Sequence, residues 1–494
     1  MPKRTTTFEL MLPPREPGGS AHRWLYGALR AEILEGRLRP GARLPGTRDL
    51  ARQYGLSRGT IVNAFEQLRS EGYLEGSVGS GTYVSKVLPD DLLHVRRAPR
   101  AEPRASAKPR RELSDFGRRI QPFPVLEIRP SRAFRVNVPA LDLFPTDLWA
   151  QIVSRRSRRI SARLLMGCDP LGYQPLREAI AGYLSTSRGV KCVADQVMIV
   201  SGVQEALDLT ARLLLNPGDR VCMEDPGYTG AAVAFEAAGA RISTAPIDEG
   251  GMELRPASLR GAKLVYVTPA HQYPLGITMS LPRRLALLEW ARQSGALIFE
   301  DDYDSEYRYS GRPVPALQGL DRDGSVLFAG TFNKVLFPSL RMGYLVIPPD
   351  LVDAFAATRS ATSRHAPVLE QAVLCDFIAE GHFGRHLRRM REVYAERLAV
   401  LLESARGRLA GLLEISTIEA GLHTVGWLRE GIGEEAATRA AARRDVEVVP
   451  LSVHSRGRLK RAGLQLGFAA VDANEIRRGV RELAAALEST SSFS

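Results

Sequence analysis

The sequence predicts an α/β main domain with a large and a small lobe, preceded by a compact unit of short helices and a β-hairpin. From about residue 134 onward, short β-rich runs alternate with longer helical stretches, the pattern of a mainly parallel sheet covered on both faces. Residues 20–88 combine apolar residues at helical spacing with a Gly-rich, β-prone end. Because 494 residues exceed one ordinary core, we expect at least two folded units.

Changes in composition divide the chain into three parts. Residues 1–88 form the small unit and residues 134–494 form the main domain. Between them, residues 89–133 contain seven prolines and eleven Lys or Arg but few large apolar side chains, so this stretch predicts a linker that cannot bury much surface. Beyond about residue 350 long helices dominate, which indicates the second, smaller lobe.

The composition excludes several classes of protein. A hydrophobic content of 44% with 25% charged residues is typical of a soluble globular chain, and no apolar run is long enough to span a bilayer. The N-terminus has no apolar stretch before its prolines, so it does not resemble a secretory signal and we expect a cytoplasmic protein. The four cysteines, Cys168, Cys192, Cys222 and Cys375, do not have CxxC spacing, so we expect reduced thiols and no metal site there.

The positive charge is concentrated at the start of the chain. The net charge is +12, and residues 1–130 contain 23 Lys and Arg against 14 Asp and Glu. Neutralising phosphates with basic side chains releases counterions, so a basic N-terminal unit favours a nucleic-acid partner. On charge alone, a solvated basic tail is an equal alternative.

Two short helices around a tight turn are predicted in the N-terminal unit. Thr47 is predicted to cap the first helix, whose Leu50 faces inward, and Gly55 ends it. Ser57 then caps a second helix, whose inward positions follow at helical spacing as Ile61, Ala64, Phe65 and Leu68. This arrangement is a helix-turn-helix, and the segment GYLEGSVGSGTYVSK after it predicts a β-hairpin wing.

A helix-turn-helix places its second helix in the major groove, N-terminus first. We therefore expect Ser57, Arg58 and Thr60 near bases and phosphates, and Arg48 on the DNA backbone. The wing can approach DNA with its backbone at Gly79, Ser80 and Gly81. The strings LPGTRDLA, GLSRGTIVNAFEQL and GYLEGSVGSGTYV closely resemble, in order and spacing, the winged-helix domain of the GntR family of bacterial transcription regulators.

Lys334 lies in GTFNKVLFPSLRMGY, at the end of an apolar strand. Such a lysine can form a Schiff base with an aldehyde cofactor if the pocket also supplies anion binding and a partner for a pyridine nitrogen. Asp301, at another strand end, can keep that nitrogen protonated, and Tyr303 can donate to a phenolate oxygen. A phosphate-binding cup is predicted where a helix begins directly after a strand, because its first backbone amides can bind an anion and an arginine can add a charged contact. The predicted residues of this cup are Gly202, Val203, Gln204, Thr331 and Arg341.

Together these residues resemble the fold-type I aminotransferases, which bind pyridoxal 5'-phosphate. The resemblance extends from about residue 165 to the C-terminus and includes GCDPLGYQPLREAIAGYL, similar to the family's entry motif. EDPGY places Tyr228 where the family stacks an aromatic ring on the cofactor. TPAHQYPLG stands in place of the family's Asn-Pro-x-Gly turn, which implies that His271 also belongs to the cofactor site.

The combination of a GntR-like winged helix, a linker and an aminotransferase-like domain resembles the MocR subfamily of regulators. EDDYDSEYRY and GHFGRHLRRMR are also similar to MocR versions of these segments. The resemblance implies a head-to-tail homodimer with pockets at the subunit interface and DNA binding under the control of the cofactor or its adduct. It implies a domain used for sensing, so no catalytic residue is assigned.

Two positions depart from the family pattern. Asn333 stands where MocR proteins commonly have Ser, and its amide retains hydrogen-bonding capacity. Gln465 stands where aminotransferases have an Arg that binds the substrate's α-carboxylate, and a neutral amide loses that charged contact. A substitute cation can come from the preceding loop, which contains Arg456, Arg458, Lys460 and Arg461.

The favoured interpretation is a MocR-type regulator that senses pyridoxal 5'-phosphate itself and controls genes of vitamin B6 synthesis. A regulator responsive to an amino acid such as GABA or taurine is the alternative within the same family. An active aminotransferase with an auxiliary DNA-binding domain is the rival from another class. A DNA-binding protein with a purely structural cofactor pocket is a third possibility.

Overall fold

The computed structural model describes residues 10–15, 18–77, 81–88, 112–120, 129–309 and 315–491. The chain divides into two compact units, Met1–Glu112 and Leu113–Ser494, and each is described by itself. In the described part of the chain, no helix combines the length and the apolar character needed to cross a membrane.

Within its described residues, the first unit contains three helices and a two-stranded antiparallel sheet. The helices are Ala21–Leu34, Thr47–Tyr54 and Arg58–Ser70, and the strands are β1 (Leu74–Ser77) and β2 (Gly81–Val84). Its core is formed by apolar residues from all three helices and from the hairpin, including Leu25, Leu29, Leu50, Ile61, Phe65, Leu68 and Val84. The four inward positions predicted for the third helix are all buried.

The helix boundaries confirm one predicted cap and correct another. Ser57 caps the third helix, because its Oγ accepts a hydrogen bond from the Thr60 backbone N–H at 3.1 Å. Gly55 ends the second helix in the left-handed conformation, with φ of 62°. The prediction of Thr47 as the first cap is wrong: Gly46 has the extended cap conformation and Thr47 is the first helical residue.

The second unit is built on an eight-stranded sheet in the order β3-β10-β9-β8-β7-β4-β5-β6. The five inner strands β9, β8, β7, β4 and β5 are parallel, whereas β10 runs antiparallel to both of its neighbours and β6 pairs antiparallel with β5. Strand bounds are β3 Val197–Val200, β4 Arg220–Asp225, β5 Arg241–Asp248, β6 Gly251–Met252, β7 Ala262–Val267, β8 Leu297–Asp302, β9 Val326–Thr331 and β10 Gly343–Val346.

Helices cover both faces of this sheet. Alternate strand residues therefore pack into two different hydrophobic clusters, one on each face. Met198 and Val200 of β3 pack with the helices Val203–Leu214 and Thr229–Ala237, whereas Val197 and Ile199 pack with Gln174–Arg188. The remaining α-helices in the described residues before the small lobe are Asp115–Arg119, Thr146–Arg158, Ala162–Met166, Pro256–Leu259, Leu281–Ser294 and Leu317–Leu320.

The smaller lobe, which the sequence predicts beyond about residue 350, contains a four-stranded antiparallel sheet. Its order is β11-β12-β14-β13, with bounds β11 Leu413–Ile415, β12 His423–Leu428, β13 Val449–Pro450 and β14 Gly463–Gly467. The helices of this C-terminal region are Val352–Thr362, Val368–Ala379, His382–Arg408, Glu434–Ala442 and Ala473–Ser491. The predicted α/β fold with two lobes and an N-terminal winged helix is therefore confirmed.

Only part of the predicted linker is described, so its extent over residues 89–133 stays a prediction. Within it, the short helix Asp115–Arg119 contacts the second unit: the Arg212 guanidinium lies 4.7 Å from the centroid of the Phe116 ring, and Arg119 Nε donates to the Ala237 carbonyl at 3.2 Å. This short helix therefore belongs to the second unit.

Candidate cofactor pocket and nucleic-acid interface

The predicted cofactor residues come from strand ends that share one edge of the large sheet. Asp301 lies in β8, and Lys334 follows β9. Gly202 follows β3, Tyr228 follows β4 and His271 follows β7. Strands β9, β8, β7 and β4 are parallel, and β3 shares their direction because β10 is antiparallel to both β3 and β9. In open α/β sheets this carboxyl edge is where ligands bind.

Lys334 is half-buried among polar and aromatic groups. Its Nζ donates to Asn137 Oδ1 at 3.0 Å and lies 4.3 Å from the centroid of the Tyr303 ring. Burial lowers the pKa of Lys334, and the negative charges of Asp304 and Asp301 oppose that effect. A lysine with a lowered pKa has more of its neutral, nucleophilic form at neutral pH, which suits attack on an aldehyde.

The two carboxylate oxygens of Asp301 differ in their hydrogen bonding. Tyr266 donates its hydroxyl to Asp301 Oδ2 at 2.7 Å, whereas Oδ1 is buried without a hydrogen-bond partner among the described residues. Burial raises the pKa of Asp301 to about 7, against the opposing effects of the Tyr266 hydrogen bond and the Lys334 charge. A protonated pyridine nitrogen at Oδ1 would satisfy this oxygen and stabilise its charge.

Tyr303, His271 and Asp304 form a buried row. His271 Nδ1 lies 3.0 Å from Asp304 Oδ1 and 2.9 Å from the Tyr303 hydroxyl. Burial raises the pKa of Asp304, but its interactions with His271 outweigh this and lower it, so Asp304 is ionised and can only accept. His271 Nδ1 therefore carries the hydrogen, and the Tyr303 hydroxyl keeps its own for donation into the pocket. His271 lies beside Tyr303 and supports it.

The predicted phosphate cup is organised by Asn333. Its Nδ2 donates to the Ser201 carbonyl at 3.1 Å, and its Oδ1 accepts from the Met342 backbone N–H at 2.8 Å. Gly202, with φ of 143°, caps the helix Val203–Leu214, and a Cβ at this position would lie 2.8 Å from Asn333 Nδ2. Only glycine fits there, so the helix amides can face an anion closely.

The other predicted members of the cup lie around this amide. Thr331 Oγ1 accepts from the Asn333 backbone N–H at 3.1 Å. Gln204 uses its side chain to donate to the Gly230 carbonyl at 2.9 Å, so its backbone amide is the group that remains for an anion. Arg341 is exposed in the left-handed conformation, with φ of 48°. Burial raises the pKa of Tyr228, and the charge of Arg341 opposes that effect.

The Gln465 side chain is buried in the smaller lobe. It lies in β14, is fully buried, and accepts a 3.5 Å hydrogen bond from the Tyr273 hydroxyl. Two of the four proposed substitute cations are engaged elsewhere, since Arg456 pairs with Glu236 and Arg461 pairs with Glu414 at 2.7 Å. The other two, Arg458 and Lys460, are exposed.

Sequence reasoning missed Asn137, which the fold brings to Lys334. Asn137 has φ of 65° in a loop, a conformation that Asn tolerates better than most residues. Its Nδ2 also donates to the Tyr273 hydroxyl at 3.4 Å, so it joins the lysine to the turn that replaces Asn-Pro-x-Gly. The left-handed propensity of Asn gives only a weak signal, and nothing local indicates a partner 197 residues away.

On the first unit, the predicted DNA contacts lie on one helix-turn-helix and its hairpin. Arg48 and Arg58 are exposed, and the Ser57 and Thr60 hydroxyls lie 2.8 Å apart at the start of the third helix. Gly81 has φ of 111°, and a Cβ there would lie 2.9 Å from the Nε atom of Arg43, a basic wing neighbour that sequence reasoning missed. The predicted contacts Gly79 and Ser80 lie outside the described residues.

Comparisons with known proteins match this architecture. Residues 22–84 match the family described as bacterial regulatory proteins, gntR family, and residues 150–490 match aminotransferase class I and II. The probable rhizopine catabolism regulatory protein MocR of Rhizobium meliloti is 41% identical over 97% of this chain and 96% of its own length. The pyridoxine biosynthesis transcriptional regulator PdxR of Corynebacterium glutamicum is 31% identical over 97% of this chain and 98% of its own.

Among solved structures, the second unit is similar to Pyrococcus horikoshii kynurenine aminotransferase in complex with PMP. The TM-score is 0.67 at 28% identity, covering 73% of this chain and 91% of that one. The family match, the full-length relatives and the strand-edge pocket agree with one another. The chain belongs to the MocR subfamily of GntR-type transcription regulators, in which a winged helix is joined to an aminotransferase-like domain of the class that binds pyridoxal 5'-phosphate.

Proposed function

We propose that this protein binds operator DNA through the helix Arg58–Ser70 and its wing, and that pyridoxal 5'-phosphate bound at Lys334 sets its DNA affinity. The observation that supports this most directly is the buried Oδ1 of Asp301, which has no hydrogen-bond partner among the described residues and lies in the pocket that contains a lysine of lowered pKa. A buried carboxylate oxygen without a partner is costly, so the site favours a cationic ring nitrogen.

The chain's own residues divide the work of holding the cofactor. Lys334 is its tether, Asp301 holds the ring nitrogen, and Tyr303 donates to the phenolate oxygen. Tyr228 covers the ring, while the Gly202 helix terminus, Thr331 and Arg341 bind the phosphate. When bound, the cofactor supplies an aldehyde carbon that condenses with primary amines and a ring that accepts electrons from the attached carbon.

The second part of the proposal concerns the DNA contacts. Arg58 and Thr60 at the start of the third helix are positioned to meet base edges, and Arg48 meets the phosphate backbone. Ser57 orders the first turn of this helix. The wing glycines and Arg43 contact the neighbouring backbone or groove.

Assembly and targets extend the same proposal. A dimer of winged helices would contact two half-sites, and we propose the head-to-tail homodimer of the MocR type acting in the cytoplasm, where the chromosome lies. Control of vitamin B6 genes stays a prediction: the relative named for pyridoxine biosynthesis is 31% identical, and the one named for rhizopine catabolism is 41% identical.

The buried Gln465 favours regulation over aminotransferase activity. An α-carboxylate in this pocket would meet a neutral amide, and the loop cations Arg456 and Arg461 already pair with Glu236 and Glu414. Burying a carboxylate without a charged partner is unfavourable, so turnover of an ordinary amino acid is disfavoured.

The test measures DNA affinity with and without the cofactor. Full-length protein is stripped of cofactor, and fluorescence anisotropy follows its binding to DNA fragments from the region upstream of its own gene. We expect added pyridoxal 5'-phosphate to change the affinity in the natural protein and to have no effect in Lys334→Ala. Equal DNA affinity in the two states of the natural protein would refute cofactor control, because an effector acts only through differential affinity.

A further inference from the structure

Asn137 provides the hydrogen-bond acceptor for the Lys334 amine. Among the described residues, Asn137 Oδ1 is the atom that accepts from Lys334 Nζ, at 3.0 Å. The ring centroids of Tyr303 and Tyr273 lie 4.3 Å and 5.5 Å from the same nitrogen. A ring face attracts a cation without fixing the direction of its N–H bonds, whereas an amide oxygen accepts in preferred directions. The orientation of the amine therefore depends on Asn137.

The orientation of the Asn137 amide is set by its second hydrogen bond. Its Nδ2 donates to the Tyr273 hydroxyl at 3.4 Å, and that hydroxyl donates in turn to Gln465 Oε1 at 3.5 Å. A hydroxyl has one hydrogen, so a Tyr273 that donates to Gln465 accepts from Asn137. The amide nitrogen therefore faces Tyr273, and the amide oxygen faces the lysine.

The backbone around Asn137 is held on both sides by hydrogen bonds to distant segments. Before it, the Phe134 carbonyl accepts from the Gly467 N–H of β14 at 2.9 Å. After it, the Ala140 N–H donates to the Tyr394 hydroxyl at 2.9 Å. Asn137 itself has φ of 65°, a conformation that persists in a non-glycine residue only where the surrounding structure holds it. The amide is therefore in place before the cofactor binds, as a positioning group must be.

The titratable groups that face the lysine amine are negative or uncharged. The charges of Asp304 and Asp301 oppose the lowering of the lysine pKa by burial. Burial raises the pKa of Tyr273 and of Tyr303, so both hydroxyls are uncharged at neutral pH. Burial also lowers the pKa of His423, in β12, to about 3, so this ring is neutral. A further carboxylate would favour the ammonium form, which has no lone pair, whereas an amide accepts a hydrogen bond without adding charge.

We propose that Asn137 is the positioning residue that holds the Lys334 amine for attack on the aldehyde carbon of pyridoxal 5'-phosphate. The inference rests on the proposed function, because it concerns the link between Lys334 and this cofactor. In the step, the amine nitrogen becomes doubly bonded to the aldehyde carbon, and the aldehyde oxygen leaves as water with both hydrogens of the neutral amine. Asn137 Oδ1 accepts one of these hydrogens beforehand and so orients the nitrogen without protonating it.

The first experiment measures how fast the link forms. Stopped-flow absorbance follows the cofactor-free full chain after it is mixed with saturating pyridoxal 5'-phosphate. Asn137→Gly removes the amide and suits the left-handed backbone, so the rate constant should fall at least about tenfold because the amine is no longer oriented. Asp445→Gly is the matched control: Asp445 is exposed with φ of 55°, so this variant should keep the natural rate. A natural rate constant in folded Asn137→Gly would overturn the proposal.

A second substitution separates positioning from a purely structural role. Asn137→Asp keeps the shape of the side chain and its accepting oxygen, but its charge favours the ammonium form of Lys334. The pH at which the rate constant reaches half its maximum should therefore rise by at least about one pH unit relative to the natural chain. A midpoint that does not move, with equal slowing at every pH, is what a residue that only supports the loop would give, and it would rule out the assignment.

The natural chain distinguishes failure of this inference from failure of the proposed function. If the natural chain never gains visible absorbance with pyridoxal 5'-phosphate, both proposals fail. If it gains this absorbance and folded Asn137→Gly and Asn137→Asp behave as it does, the cofactor site stands and only the role of Asn137 fails. Circular dichroism reports whether each variant is folded.

Discussion

At the scale of single residues, the pocket depends on ionisable groups whose burial is only partly compensated. Burial lowers the pKa of Lys334 and raises that of Asp301 to about 7, and each charge opposes the shift of the other. Such shifts are typical of sites that bind or react, since a purely structural pair would be fully hydrogen-bonded. Here Asp301 Oδ1 has no hydrogen-bond partner among the described residues, and the Lys334 amine donates to the neutral amide of Asn137.

The first prediction concerns the tether. Lys334→Ala should abolish the visible absorbance that the natural protein acquires with pyridoxal 5'-phosphate, because the only covalent link is lost. Circular dichroism should show an unchanged fold. Lys460→Ala, which removes an exposed lysine of the β14 loop, is the control and should absorb normally. A borohydride-reducible adduct in Lys334→Ala would identify another lysine as the anchor.

The second prediction distinguishes the role of Asp301 from that of its neighbour Asp302. Loss of the charge should weaken cofactor binding by about tenfold or more, because the ring nitrogen loses an ionic partner. Asp302→Asn is the comparison: Asp302 pairs with Arg188 at 2.8 Å, so its loss should lower stability and leave the cofactor spectrum unchanged. An unaltered spectrum and affinity in Asp301→Asn would move the ring-nitrogen role away from Asp301.

The same substitution should change the pH dependence of stability in the cofactor-free protein. The pKa of Asp301 is about 7 in the folded chain against an ordinary 3.8, so the folded state binds more protons between these values. Stability contributed by this group therefore falls as the pH rises towards 7, and the loss is complete above it. Asp301→Asn removes this loss, so denaturant titrations should show a gain of at least about 1 kcal/mol at pH 8 and a smaller gain at pH 5.

At the scale of elements, loops after different strands must be fastened together to make one cup. Asn333, in the loop between β9 and β10 that also contains Arg341, joins the Ser201 carbonyl to the Met342 amide. A Ser at this position, common in MocR proteins, is too short to make both contacts in the same way. Asn333, which departs from the family pattern in the sequence, thus has a structural role.

The third prediction tests this bridge. Asn333→Ala leaves the Ser201 carbonyl and the Met342 amide without their partner, so the loops should loosen and cofactor affinity should fall about tenfold. Asn333→Ser should recover part of the loss. Absorbance titrations measure both variants. Natural affinity in Asn333→Ala would mean that the bridge does not organise the phosphate cup.

The fourth prediction concerns the recognition helix. Arg58→Ala should weaken binding to the cognate sequence by about 1 to 3 kcal/mol and relax base preference, because we assign Arg58 to base edges. Arg48→Ala should weaken all sequences about equally and lower the salt slope by about one, because we assign it to phosphate. Anisotropy on cognate and scrambled DNA at several salt concentrations distinguishes them. The same sequence dependence in both variants would contradict these roles.

At the scale of the whole molecule, the pocket joins the two lobes of the second unit. Its side chains come from both sheets of the second unit, as the contact between Tyr273 of the large sheet's edge and Gln465 in β14 shows. A ligand that bridges these lobes and binds only the folded state stabilises the unit by mass action.

The fifth prediction follows from this linkage. Pyridoxal 5'-phosphate at one hundred times its Kd should stabilise the folded second unit by about 2.7 kcal/mol, and the melting temperature of the full chain should rise with cofactor concentration. Lys334→Ala should show a much smaller rise under the same conditions. Scanning calorimetry provides the measurement, and a melting temperature independent of cofactor would contradict binding at this site.

The sequence determined the elements and much of the candidate site. Apolar residues at periods of two and 3.6 predict the strands and helices directly, and residues that follow buried strands predict the shared edge. Lys334, Asp301 and Gly202 were predicted in this way, because each lies at the end of a strand whose pattern is local. The prediction of Thr47 as a helix cap was wrong because Gly46 also suits that position, and local propensity does not decide which of two neighbouring residues caps a helix.

Only the tertiary structure decided which groups meet between distant segments. The contact of Asn137 with Lys334, the bridge made by Asn333, the support of Tyr303 by His271 and the hydrogen bond from Tyr273 to Gln465 all depend on how distant segments pack together. No periodicity encodes such contacts, because each is the outcome of packing several layers at once. The sequence therefore determines which chemistry is available at the sheet edge, and the packing of the two lobes around Tyr273 determines how those groups are arranged.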